Sequence, residues 1–61
     1  MRILLVEDEI QIRKLIKMNL ELEGYEVVSV DNGRKAIDII EGQHFDLMIL
    51  DVMLPEVDGF Q

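Results

Sequence analysis

The chain contains no cysteine and no tryptophan, a single proline, and only two phenylalanines and one tyrosine. Without cysteine there is neither a disulfide framework nor a Cys-based zinc site. The usual staples of small domains are therefore missing, and self-association is the expected support. Positive charge is also scarce. Six Lys and Arg stand against thirteen Asp and Glu, for a net charge of -7, whereas nucleic-acid phosphates demand clustered Lys and Arg. Direct nucleic-acid binding is not expected. Arg13, Lys14 and Lys17 form the one small basic group, and among Gln11, Glu21 and Glu23 they read as a solvated helix face. Long apolar runs are absent too: nothing approaches the roughly 18 residues of a membrane span. No charged leader, longer apolar segment or small-residue cleavage site follows Met1. A soluble, cytoplasmic protein without a membrane partner is expected.

What is present is an apolar fraction of 49%, too high for a disordered composition. A chain of 61 residues buries only about 60% of the surface its unfolded form exposes, so one domain over residues 1–61 with a marginal core is expected. Ile12, Leu15, Ile16 and Leu20 recur at helical spacing, Leu22 widens the stripe, and Gly24 stops it as a C-terminal cap. Tyr25 to Val30 is short and β-branched, hence a strand, broken by Asp31-Asn32-Gly33. Asn-Gly could form a hairpin, but Ala36, Ile37 and Ile40 share a helical face and Gly42 follows as a second cap. The spacing thus predicts a helix over about Arg34 to Glu41. A third strand, about Asp46 to Leu50, is continuously apolar inside, as in a parallel sheet covered on both faces. Its burial is predicted, with Met48 in the core.

The apolar runs carry a further pattern. Ile3 to Val6 leads into Glu7-Asp8, and Leu47 to Leu50 leads into Asp51. In a βαβαβ chain with right-handed crossovers, a doubly wound sheet in the order 2-1-3 sets the first and third strands side by side. Three carboxylates then meet at the carboxyl edge, where open α/β sheets bind ligands. Such a cluster repels itself unless protons or a hard cation occupy it. Mg2+ suits it, because this ion takes oxygen ligands, keeps several waters and uses one or two carboxylates with phosphate oxygens. Beside a cation, a carboxylate can attack phosphorus and become an aspartyl phosphate.

These residues resemble the receiver domains of two-component response regulators. The resemblance is carried by Ile3-Leu4-Leu5-Val6-Glu7-Asp8, by Gly24-Tyr25-Glu26-Val27 with Asn32-Gly33, and by Asp46 through Pro55 followed by Asp58-Gly59. It spans essentially the whole chain and implies the flavodoxin-like α/β fold, here its β-α-β-α-β half. It implies that Asp51 is the phosphoacceptor, with a histidine kinase as donor, and that Glu7, Asp8 and Asp51 hold Mg2+ together with the backbone carbonyl of Met53. Pro55 and Gly59 would shape the loop that follows. A receiver of this kind is a phosphorylated signalling domain and not an enzyme. The family's Ser or Thr after a fourth strand and Lys after a fifth have no counterpart in these 61 residues. Lys14, Lys17 and Lys35 fall on predicted helices. The resemblance therefore supports metal binding more strongly than phosphotransfer.

The third strand, internal in the full fold, would here be an apolar edge, and such edges pair. A homodimer through the third strands is expected. The competing reading is a truncated or engineered half-domain that self-associates into a symmetric dimer without signalling. A P-loop hydrolase lacks its Gly-Lys-Ser or Gly-Lys-Thr loop here. A phosphatase with an aspartyl nucleophile commonly has a second Asp where this chain has Met53. Among bland readings, Glu7 and Asp8 could be acids of the first helical turn. Glu9, Asp31, Asp38, Asp46 and Glu56 are expected as caps or surface charges, Asp58 as a turn residue, and His44 as a surface loop residue.

Overall fold

The structure, a computed structural model, describes residues 1–51 and, at Asp51, the backbone alone. Five elements succeed one another: β1 (Arg2–Glu7), α1 (Ile10–Leu22), β2 (Glu26–Val30), α2 (Gly33–Ile40) and β3 (Leu47–Asp51). The strands form one sheet in the order β2-β1-β3, with both pairings parallel. This is the doubly wound half-sheet expected from the sequence. Asn32-Gly33 joins a strand to a helix and makes no hairpin.

The run Ile3 to Val6 is apolar at every position because both faces of β1 are covered. Ile3 and Leu5 pack with Val27 under Ile16 and Leu20 of α1, while Leu4 and Val6 pack with Val30 and Ala36 on the α2 side, joined by Val28, Ile39 and Phe45. The four β1 side chains are at most 1% exposed, and each such burial contributes roughly 1.5–3 kcal/mol. The helices start and stop on side-chain and backbone caps. Glu9 accepts from the Gln11 N–H at the start of α1, and Asn32 Oδ1 accepts from the Lys35 N–H (2.9 Å) at the start of α2.

At the end of α1, Gly24 has φ +96, and its N–H donates to the Glu21 carbonyl while Tyr25 donates to Leu20. These two bonds are the paired closure that a left-handed glycine permits. Gly42 does not repeat it. Glu41 caps α2, Gly42 has no positive φ, and the N–H groups of Gly42 and Gln43 both donate to the Ile39 carbonyl. A tightened last turn replaces the expected glycine cap.

The predicted burial of β3 is corrected, and the apolar stripes of both helices are only partly covered. On α1, Ile16 and Leu20 face the sheet, whereas Ile12, Leu15 and Leu22 are exposed. On α2 the sheet-facing pair is Ala36 and Ile39, and Ile37 and Ile40 are exposed. On β3, Leu47, Met48 and Leu50 are 47%, 42% and 62% exposed, so Met48 is not core and only Ile49 joins a packed cluster. The cause is common to all three. Among the described residues both helices pack on β1 and β2 and neither packs on β3, which leaves β3 an uncovered edge.

Arg2 closes the opposite, amino-terminal end of the sheet. Its N–H donates to Asp46 Oδ2 and its carbonyl accepts from the Asp46 N–H, both at 2.8 Å. Its guanidinium donates to Gln43 Oε1 (2.7 Å), the His44 carbonyl (3.0 Å) and Glu26 Oε2 (3.2 Å), and lies 4.8 Å from the centroid of the Phe45 ring. One side chain thereby ties β1 to β2 and to the segment that enters β3. Among the described residues no helix is long and apolar enough to cross a membrane.

Candidate functional site: the carboxyl edge of the sheet

The pairing of β1 with β3 runs from Ile3↔Leu47 to Glu7↔Asp51. The two strands thus end level, and the backbones of Glu7 and Asp51 are partners across the ladder, at the spacing of about 4.8 Å between neighbouring strands. Glu7 is 3% exposed and is the one buried charged residue among those described. Its carboxylate is held by a 2.8 Å hydrogen bond in which Glu7 Oε2 accepts from the Glu9 N–H. Asp8 follows in an exposed bend. Glu7 and Asp8 both precede α1, whose first turn has no acid, so neither is a first-turn residue. Glu9 takes the capping role instead.

The side chain of Asp51 and the whole of Met53, Pro55, Glu56, Asp58 and Gly59 lie outside the described residues. Among the described residues, no group of three His, Asp or Glu side chains is arranged to hold a metal ion. Glu7 and Asp8 supply two adjacent carboxylates at the edge, and Asp51 brings the end of β3 beside them.

Two basic side chains reach this end of the sheet. Arg13, half-buried on α1, donates from Nη1 to the Glu7 carbonyl at 3.1 Å. Sequence patterning assigned it to a solvated face; a hydrogen bond from a long side chain to a main-chain carbonyl leaves no periodic trace. Lys35 lies 3.3 Å from Asp31 Oδ1, just beyond β2. Hydrogen bonding to Lys35 is the largest of the effects that hold the Asp31 carboxyl below its ordinary range, and the charges of Lys35 and, more weakly, Arg13 add to it. Lys17 is paired with Glu21 on α1 at 3.3 Å. The expected helical placement of Lys14, Lys17 and Lys35 is what the structure has.

His44 and Asp46 belong to the other end of the sheet. His44 is exposed, as expected, with Nε2 3.4 Å from Asp46 Oδ1. The Asp46 carboxyl is held below its ordinary range chiefly by the Arg2 backbone N–H, with His44 adding to the effect.

A buried carboxylate followed in sequence by an exposed Asp, at the carboxyl end of β1 beside β3, offers oxygen atoms of the kind hard cations take. Known proteins share both the fold and this text. The response regulator receiver domain family matches residues 3–61. A protein of Picosynechococcus sp. named a probable transcriptional regulatory protein is 52% identical, over 95% of this chain and 26% of its own length. The transcriptional regulatory protein SrrA of Staphylococcus aureus is 44% identical, over 97% of this chain and 24% of its own length. Among solved structures, response regulator TrrA of Thermotoga maritima in complex with Mg(2+)-BeF superimposes with a TM-score of 0.81 at 43% identity, covering 92% of this chain and 49% of that one. TrrA in complex with histidine kinase ThkA gives 0.80 at the same identity, over 92% and 48%. The chain spans about a quarter of the length of these curated relatives and about half of TrrA. The chain belongs to the response regulator receiver domain family.

Proposed function

We propose that residues 1–61 act as the phosphoacceptor half of a receiver, with Asp51 as nucleophile and a histidine kinase as donor. Glu7, Asp8 and Asp51 would hold Mg2+, together with the backbone carbonyl of Met53. The observation that carries the reading is the level pairing of Glu7 with Asp51, which brings the buried Glu7 carboxylate and the end of β3 to one edge. The donor set fits the ion, since Mg2+ needs only one or two protein carboxylates and completes its octahedron with water and phosphate oxygens. When bound, it offsets the charge repulsion between the acids and an incoming phosphoryl group.

The remaining chemistry belongs to the chain. A carboxylate oxygen of Asp51 forms the new bond to phosphorus as the bond from phosphorus to the donor's imidazole nitrogen breaks, and the imidazole keeps that electron pair. Glu7, pinned by the Glu9 N–H, keeps its carboxylate in one orientation throughout. The complexes of TrrA with Mg(2+)-BeF and with ThkA support this reading for a relative. The test is intact mass after incubation with magnesium chloride and a small-molecule phosphodonor. A phosphate adduct is expected on the parent and not on Asp51→Asn; an unmodified parent refutes the phosphoacceptor assignment.

A second reading rests on a separate observation, the exposed apolar side chains of Leu47, Met48 and Leu50 on the edge strand. Two copies joined through β3 would cover that edge and form a continuous sheet about a two-fold axis. Sedimentation equilibrium at micromolar concentration separates this dimer from a folded monomer.

A further inference from the structure

Asp8 sits between two pinned peptide groups. On its N-terminal side the Glu7 carbonyl accepts from Arg13 Nη1 at 3.1 Å. On its C-terminal side the Glu9 N–H donates to Glu7 Oε2 at 2.8 Å. The carbonyl of Glu7 shares a rigid amide plane with the N–H of Asp8, and the N–H of Glu9 shares one with the carbonyl of Asp8. The two hydrogen bonds thus restrain both planes flanking the Asp8 Cα, and with them the direction in which its Cα–Cβ bond leaves the chain. Arg13 is itself placed by the second anchor's neighbour, since its own N–H donates to the Glu9 carbonyl at 2.9 Å in the first turn of α1.

We infer that Arg13 is a positioning residue for the acid edge: its guanidinium locks the Glu7-Asp8-Glu9 bend so that two carboxylates are presented in one preorganised geometry to a small divalent cation. The inference deepens the proposed magnesium site and rests on that reading for its ligand.

The sign of the effect separates positioning from charge. A guanidinium beside two carboxylates repels a divalent cation, so if Arg13 contributed only charge, its removal would tighten metal binding. If it orders the bend, its removal loosens the ligands, and loss of a residue that orients metal ligands typically weakens metal binding about 10–100-fold. Discrimination must shift as well. Mg2+ demands near-ideal octahedral geometry at short distances, whereas Ca2+ accepts irregular, longer coordination. A loosened bend therefore loses Mg2+ affinity more than Ca2+ affinity.

The experiment compares the full chain with Arg13→Met, which keeps the apolar stem, and Arg13→Lys, which keeps the charge. Binding of magnesium chloride and calcium chloride is measured by calorimetry well below the melting temperature. Amide hydrogen exchange at Asp8 and Glu9 is measured without metal. In Arg13→Met, Mg2+ affinity is expected to fall about tenfold or more, the Mg2+ to Ca2+ affinity ratio to fall, and the Glu9 amide to exchange faster. Arg13→Lys is expected to leave Glu9 exchanging faster than in the parent, because a single ammonium lacks the reach and fork of the guanidinium. Tighter Mg2+ binding by Arg13→Met, or unchanged Glu9 exchange in it, overturns the positioning role. A parent chain that binds no magnesium refutes the proposed metal site, and the Glu9 exchange measurement then decides the role of Arg13 by itself.

Discussion

Replacing Glu7 by Gln removes one charge from the acid edge and leaves the shape of the side chain almost unchanged. Glu7 is 3% exposed and is paired in register with Asp51. Two unit negative charges held at about 5 Å, the spacing of paired strand backbones, would repel by roughly 3 kcal/mol at an effective dielectric constant of about 20. The amide oxygen of Gln can still accept from the Glu9 N–H, now bonded to Glu7 Oε2 at 2.8 Å, but without the charge this bond weakens by about 1 kcal/mol. The net expectation is that metal-free Glu7→Gln is more stable than the parent by about 2 kcal/mol. In a domain this small, that raises the melting temperature by roughly 10 °C.

Magnesium is expected to reverse the order. At a concentration 100-fold above its dissociation constant, an ion that binds only the folded state stabilises it by about 2.7 kcal/mol, and the variant lacking a ligand gains little. Thermal unfolding followed by circular dichroism, with and without magnesium chloride, reads both effects. A metal-free variant that melts below the parent, or a variant that keeps the full magnesium-dependent rise, refutes the view of this edge as a self-repelling cation site.

Other perturbations address the scaffold. Arg2→Met removes the guanidinium bonds to Gln43, His44 and Glu26 and the contact with Phe45; a loss of about 1–2 kcal/mol is expected, read as a lower urea midpoint, with magnesium affinity unaltered. Asn32→Ala deletes the cap on the Lys35 N–H and is expected to cost about 1 kcal/mol, seen as a lower melting temperature. Gly24→Ala forces a side chain into a φ of +96, for an expected loss of about 1–2 kcal/mol in the same assay. Asp46 has a folded pKa depressed below 3.8 by the Arg2 N–H, so its contribution is present above the unfolded pKa and disappears as pH falls through the folded value. The melting-temperature gap between the parent and Asp46→Asn is therefore expected to close as pH falls below about 4; a gap that persists at about pH 2 contradicts this sign.

The parts of the fold that were legible in the sequence are those whose signal is local. The apolar runs at Ile3–Val6 and Leu47–Leu50 mark strands, and the glycine after α1 marks a left-handed stop. The acid edge was legible for a different reason: crossover handedness restricts where two strands of a short βαβαβ chain can end, so Glu7 and Asp51 become neighbours through topology. Burial at the periphery was not legible. Periodicity shows that Leu15, Leu22, Ile37 and Ile40 lie on apolar stretches of helix, but it does not show how wide a sheet stands behind them. With β3 at the edge and neither helix packed on it among the described residues, Met48 reads as core in sequence and is 42% exposed in the fold. Arg13 was read as part of a solvated helix face and Arg2 was given no role, because long cationic side chains act through hydrogen bonds to groups distant in sequence or on the main chain, which leave no periodic trace.

The two ends of the sheet divide the work of the molecule between them. At the amino end, the Arg2 guanidinium ties Glu26, Gln43 and the His44 carbonyl together, and the Arg2 main chain holds Asp46. Opposite charges meet there, and the strands are fixed in register. At the carboxyl end, negative charge accumulates: Glu7 and Asp8 stand together where β1 ends beside β3, and the Glu7 carboxylate is oriented by a backbone N–H. A fold stabilised by neutralising charge at one end can tolerate concentrated charge at the other. Substitutions should therefore separate cleanly, with Arg2→Met lowering stability at constant magnesium affinity and Glu7→Gln raising metal-free stability while removing magnesium dependence. The two sites sit at opposite ends of β1, so their stability effects in the double variant should add to within about 0.5 kcal/mol. A larger coupling would mean that the amino-end clamp transmits strand register to the acid edge, and that scaffold and site are not independent.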